Sequence, residues 1–146
     1  MTLEEFRSYC KKYQTPLKKL SFNEINHDIY LNQIALNWNS YFPDIEVTEL
    51  YKEVHLFKKN KNREIGDISY IDLVLFNHNN IFLIEAKSVK GISKSRFSYM
   101  KQQLKKQYNF VLDNFNVPAY RIGIFGKLSK IRKIIIPPYL EDIVSS

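Results

Sequence analysis

Two carboxylates and a lysine stand where an apolar sequence gives them little company. Asp72 lies inside Ile71-Asp72-Leu73-Val74-Leu75-Phe76, and Glu85-Ala86-Lys87 closes a second apolar run, Ile81-Phe82-Leu83-Ile84. Runs of this kind are usually buried on both faces of a sheet, where an unpaired carboxylate is costly. The link Asn77-His78-Asn79-Asn80 is short and rich in turn formers, so the two runs read as a β-hairpin. A symmetric turn sets Phe76 opposite Ile81, Val74 opposite Leu83, Asp72 opposite Glu85 and Tyr70 opposite Lys87. Directly opposed residues have Cβ atoms roughly 4.5–5.5 Å apart, and like charges there repel. The pair therefore calls for a cation or a shared proton. Lys87 supplies one positive charge, and a hard divalent ion such as Mg²⁺, which favours carboxylate and water oxygens, would supply more.

The elements that must position these residues follow from periodicity. Ser21 or Asn23 caps a helix running to about Tyr41, stopped by Pro43, with a buried stripe of His27, Leu31, Ile34 and Trp38; Glu24 lies one turn before His27. A strand is expected over 45–57, then the polar basic loop Lys58-Lys59-Asn60-Lys61-Asn62-Arg63, then the hairpin strands 69–76 and 81–87. A long helix over 94–115 carries Phe97, Met100, Leu104, Tyr108, Val111 and Phe115 on one face. Strands over 120–125 and 131–136 close the order, the last ended by Pro137-Pro138. The fold class is α/β, a mixed central sheet of four to five strands flanked by helices. Residues 1–146 read as one domain, with 1–20 a basic lead-in and 21–136 the core.

Composition narrows the class. The chain is 45% hydrophobic and 14% aromatic, enough for a proper core, which excludes general disorder. No apolar run approaches the ~20 residues that span a bilayer, and the N-terminus has no basic and apolar leader pattern. The single cysteine, Cys10, excludes an intramolecular disulfide framework and a Cys-built zinc or iron–sulfur site. A cytoplasmic protein without a membrane partner is the expectation. Lys+Arg number 22 against 15 Asp+Glu, a formal charge of +7, which favours polyanions. Lys outnumbers Arg 17 to 5, a ratio that codon drift in an AT-rich genome would also produce. Lys59, Lys61 and Arg63 precede the hairpin, while Lys90, Lys94, Arg96, Lys101 and Lys105 follow it. These bracket the carboxylates where a phosphate backbone would lie. No element looks like a base-reading motif, so selectivity for structure is expected over selectivity for sequence.

Asp72, then Glu85-Ala86-Lys87 at the end of the next strand, then a helix, resembles the PD-(D/E)XK nuclease superfamily, with its restriction-endonuclease-like core. The resemblance covers roughly residues 23–136; Ile71 stands where Pro often precedes the Asp. It implies that Asp72 and Glu85 hold one or two Mg²⁺ or Mn²⁺ ions, that the Ala86 carbonyl adds a ligand, and that Lys87 orients or activates the attacking water. RecB-type members carry a His in the first helix as a further ligand, and a Gln followed by a Tyr in the helix after Glu-x-Lys. His27 is similar to the former, and Gln103 with Tyr108 to the latter, one residue longer than the usual spacing. In other branches a first-helix Glu takes the metal role, so Glu24 stands beside His27 as the alternative.

The resemblance implies a metal-dependent nuclease, a hydrolase that binds DNA and cleaves its phosphodiester bonds, with endonuclease and exonuclease action both open, stand-alone in repair, recombination or viral and mobile-element DNA processing. Resolving four-way junctions would require a homodimer, with two sites on two strands. An RNA endonuclease of the same fold is the nearest alternative. A nucleic-acid-binding module that keeps the fold without turnover is the rival from another class.

Overall fold

The structure is a computed structural model that describes residues 3–14, 22–60, 63–78, 80–88, 92–127 and 131–136. Its elements run α1 (Leu3–Tyr13), α2 (Phe22–Leu36), α3 (Trp38–Tyr41), β1 (Glu49–Asn60), β2 (Arg63–Asn77), β3 (Asn80–Lys87), α4 (Lys94–Phe115), β4 (Tyr120–Phe125) and β5 (Arg132–Ile136). The five strands form one mixed sheet in sequential order. β1, β2 and β3 are an antiparallel meander, α4 crosses over to bring β4 parallel to β3, and β5 returns antiparallel. Among the described residues no helix is long and apolar enough to cross a membrane.

Within the expected lead-in, Leu3–Tyr13 form the helix α1, and residues 15–20 lie outside the described residues. Phe6 and Cys10, one turn apart on α1, are fully buried in the core that also holds Val74, Phe76, Leu83, Met100, Leu104 and Tyr108. Acidic residues in the first turn of α1 and lysines in its last complement the helix dipole. Arg7 Nε lies 2.9 Å from Glu49 Oε1, which ties α1 to the start of β1. The expected single helix up to Tyr41 breaks at Asn37 into α2 and α3, and Leu31, Ile34 and Trp38 keep the anticipated buried stripe. Of the basic segment read as a loop, Lys58, Lys59 and Asn60 belong to β1 and Arg63 to β2, while Lys61 and Asn62 lie outside the described residues. β1 continues to Asn60 and β2 starts at Arg63, because strand pairing extends past the apolar alternation used to bound it.

The sheet separates two cores. One, under α1 and α4, takes Val74, Phe76, Ile81 and Leu83; the other, under α2 and α3, takes Leu73, Leu75, Phe82 and Ile84. This is the strict alternation expected of strands covered on both faces. The alternation breaks at one rung. Ile71 joins the same core as Val74, and on β1 Val54 joins the same core as Tyr51. Between them lie Asp72 and Glu53, and Glu53 has φ of 49°, a left-handed conformation that costs a non-glycine residue about 1–2 kcal/mol. Pairing resumes beyond it, with Lys52 opposite Leu73 before the break and Val54 opposite Ile71 after it.

α4 is capped by Ser93, whose hydroxyl accepts the Arg96 N–H, and ends at Asn116 in the left-handed conformation. It lies close to the sheet at Gly123, the β4 neighbour of Glu85: a Cβ there would overlap Met100 Sδ. Gly123→Ala should therefore overpack this contact and destabilise the fold by about 1–3 kcal/mol in urea titrations. In a Met100→Ala background the same change should cost much less, and an equal cost in both backgrounds would refute the close approach.

Candidate active site

The hairpin register is as the sequence indicates, with Phe76 opposite Ile81 and Val74 opposite Leu83. The ladder nevertheless ends at Leu73–Ile84, so Asp72 and Glu85, and Tyr70 and Lys87, are not paired as expected. β2 stays with β1 beyond this point, and β3 stays with β4 through Lys87–Phe125. The strands diverge where continued pairing would press two carboxylates together.

Side chains occupy the divergence. Asp72 accepts the Ala86 N–H at 2.8 Å through Oδ2, and His27 Nε2 lies 3.3 Å from its Oδ1. α2 is fixed for this contact one residue on, where Lys52 binds Asp28 and reaches Asn32 Oδ1 at 3.0 Å. Glu85 has Lys87 Nζ 3.4 Å from its Oε2. From α4, Gln107 Nε2 donates to the Tyr70 carbonyl at 3.0 Å and to Glu85 Oε1 at 3.4 Å. Asp72 and Glu85 are each only 8% exposed.

Burial first, and then the Asp72 charge, push the Glu85 carboxyl up to about 7, against the opposing pull of Lys87 and Gln107. The hydrogen bond to Asp72, with the charges of Asp72, Glu53 and Glu85, raises His27 against its own desolvation. Glu53 is raised by burial and by the Asp28 and Asp72 charges, while Lys52 and His27 oppose the shift. It is a third carboxylate facing this neighbourhood, and its place on β1 gave no motif by which to find it.

Among the described residues no three His, Cys, Asp or Glu side chains converge as a ready metal cage. The donor set nonetheless fits a hydrated hard cation: Mg²⁺ commonly takes one or two carboxylates and keeps several waters. Two buried carboxylates, one of them raised to about 7 by burial first and then by the charge of the other, are the kind of setting in which such an ion would be compensated.

The structure brings together Asp72, Glu85, Ala86, Lys87 and His27. The helix glutamine at Glu85 is Gln107; Gln103, the expected one, lies one turn earlier and half-buried, so the correction follows from helix phase. Gln107 falls three residues after Leu104 and seven after Met100, and a polar residue in that apolar stripe was the available signal. The side chains of Glu24, Lys59 and Arg63, and the whole of Lys61 and Lys90, lie outside the described residues. Lys94, Arg96, Lys101 and Lys105 are exposed on α4, and Arg96 borders a cavity shared with Lys87. Tyr70, expected opposite Lys87, stacks on His55 with ring centroids 4.6 Å apart.

No protein-family model and no curated protein sequence matches the chain. Its fold is similar to the crystal structure of SSO0001, with a TM-score of 0.50 and 14% identity over 99% of this chain and 82% of that one. The crystal structure of VC1899 from Vibrio cholerae aligns with a TM-score of 0.41 and 15% identity, over 79% of this chain and 25% of that one. At such identities the likeness to SSO0001 concerns the α/β fold alone.

The electrostatics set a pH dependence for the metal-free protein. Glu85 titrates at about 7 when folded, against an ordinary 4.5, so between those values the folded state holds the extra proton. Stability then falls as pH rises. The raised His27 acts in the same direction, losing its contribution as pH climbs through its folded value. In chelator, urea titrations from about pH 5 to about pH 7.5 should show a loss of up to about 3 kcal/mol. Glu85→Gln should flatten that profile; a wild-type slope retained in the variant would contradict the assignment.

Proposed function

We propose that this chain is a divalent-metal-dependent nuclease that hydrolyses DNA phosphodiester bonds. The reading rests on one observation: Asp72, Glu85, Lys87 and His27 meet where β2 leaves β3, each within 3.4 Å of a partner in the group. Hydrolysing a phosphodiester requires charge compensation at the phosphate oxygens and a nucleophile competent at neutral pH. A Mg²⁺ or Mn²⁺ ion held by Asp72 and Glu85 would supply both, as Lewis acid and as activator of water.

The chain's own residues have separate tasks. Asp72 is oriented by His27 on one oxygen and by the Ala86 N–H on the other. Glu85 is held by Gln107, itself anchored on the Tyr70 carbonyl. Lys87 offsets the carboxylate charge in the ground state and, at the half-exposed end of β3, stabilises charge developing on the phosphate oxygens. The resemblance to PD-(D/E)XK nucleases gives metal-holding roles to the same Asp72 and Glu85 and a catalytic role to the same Lys87.

Purified protein should cut at least one of single-stranded DNA, plasmid, four-way junction or RNA when Mg²⁺ or Mn²⁺ is added, and none in chelator. Asp72→Ala and Lys87→Ala should each lower the rate by at least about 10²-fold while leaving binding in chelator largely intact. Cleavage of RNA alone would move the assignment to an RNA endonuclease. Binding without metal-dependent cleavage of any substrate would leave a nucleic-acid-binding module, and variants that cut like wild type would remove these residues from the site.

A further inference from the structure

On the other side of Lys87 lies a feature that phosphodiester hydrolysis does not itself require. A cavity of about 350 Å³ opens between the end of β3 and the first turns of α4, lined by Lys87, Ser95, Arg96 and Tyr99. The Tyr99 ring is 53% exposed, whereas Tyr108, farther along the same helix, is fully buried. Tyr99 therefore contributes little to the core and offers an open aromatic surface. The Lys87 ammonium stands 5.8 Å from the Tyr99 ring centroid, and the same nitrogen is 3.4 Å from Glu85 Oε2. One cation thus joins the Glu85 carboxylate to an aromatic surface. Arg96 adds a second positive charge, and among the described residues that line the cavity none is acidic.

We propose that this cavity is a base-stacking subsite, in which Tyr99 takes the face of one unpaired base while Arg96 and Lys87 hold the neighbouring phosphates, so that the substrate is single-stranded DNA. The proposal rests on the nuclease reading of Asp72, Glu85 and Lys87 and names the substrate class of that site. The volume falls in the range of small-ligand pockets, about 300–1,000 Å³. The lining pairs an aromatic plane with two cations, the combination by which proteins hold single strands irrespective of sequence. A duplex cannot use it, because its bases are stacked on one another and show an outside surface only their edges and phosphates.

The test is fluorescence anisotropy in chelator, so that binding is read without cleavage, with a labelled single-stranded oligonucleotide and the duplex of the same sequence. Wild type should prefer the single strand. Tyr99→Ala should weaken single-strand binding about 5- to 150-fold, the usual worth of one stacked base, while Tyr99→Phe stays within about twofold and duplex binding is unchanged. A set of oligonucleotides with one abasic position each should contain a position that reproduces the alanine loss in wild type and adds nothing to Tyr99→Ala. Equal loss on strand and duplex, no loss at all, or wild-type preference for duplex would each overturn the subsite. Failure of the nuclease reading is separately visible: Tyr99-dependent single-strand binding without cleavage by wild type supports the subsite and removes the catalysis. Metal-dependent cleavage lost in Asp72→Ala but unaffected by Tyr99→Ala on either substrate retains the catalysis and overturns the subsite.

Discussion

Two like charges buried at the rim of an apolar sheet are the constraint around which the rest of this structure is arranged. Had the β2–β3 ladder run on, Asp72 and Glu85 would have faced each other at roughly 4.5–5.5 Å. The ladder stops a rung short of that, and each carboxylate finds other partners. α2 supplies His27 to Asp72 from one layer, and α4 supplies Gln107 to Glu85 from the layer opposite. The site is thus the place where the two helical layers reach each other through the sheet. Even so, the compensation is incomplete: Glu85 remains raised, by burial and by the Asp72 charge, with Lys87 beside it.

The same rung carries a backbone irregularity. Both β1 and β2 break their alternation there, and Glu53 adopts a left-handed φ in mid-strand. Conformations of this kind persist where the surroundings fix them, often beside functional groups. Here the irregular rung sets a third carboxylate facing His27 and Asp72, so backbone geometry and local charge are concentrated on one short stretch of two strands.

Much of this was legible in the sequence, for identifiable reasons. Strict alternation with a short polar turn fixes a hairpin register, so Phe76–Ile81 and Val74–Leu83 follow from the residues alone. The α4 stripe and the capping Ser93 mark that helix equally well. The end of the ladder could not be read this way, because periodicity describes one strand at a time and divergence depends on what β1 and β4 offer instead. The left-handed Glu53 has no glycine or asparagine to announce it. α1 was hidden by its lysines, although Phe6 and Cys10 already stood one helical turn apart. Motif spacing points to Gln103, whereas helix phase places Gln107 among Met100, Leu104 and Val111, and the phase is what the packed helix obeys.

Beyond Leu73 and Ile84 the β1–β2 leaf and the β3–β4 leaf are sewn by side chains. Asp72 reaches across to the Ala86 N–H, and Gln107 ties the Tyr70 carbonyl of one leaf to Glu85 of the other. Asp72 is therefore both a charge and a stitch. Removing it by alanine alters the cohesion of the seam as well as the chemistry, whereas asparagine retains an oxygen for Ala86 and removes only the charge. Lys87 touches Glu85 and Tyr99, both on the far leaf and its helix, so its loss leaves the stitching alone. Whatever draws the two carboxylates together also draws the leaves together, so an ion between them would tie its own occupancy to the cohesion of the sheet's seam.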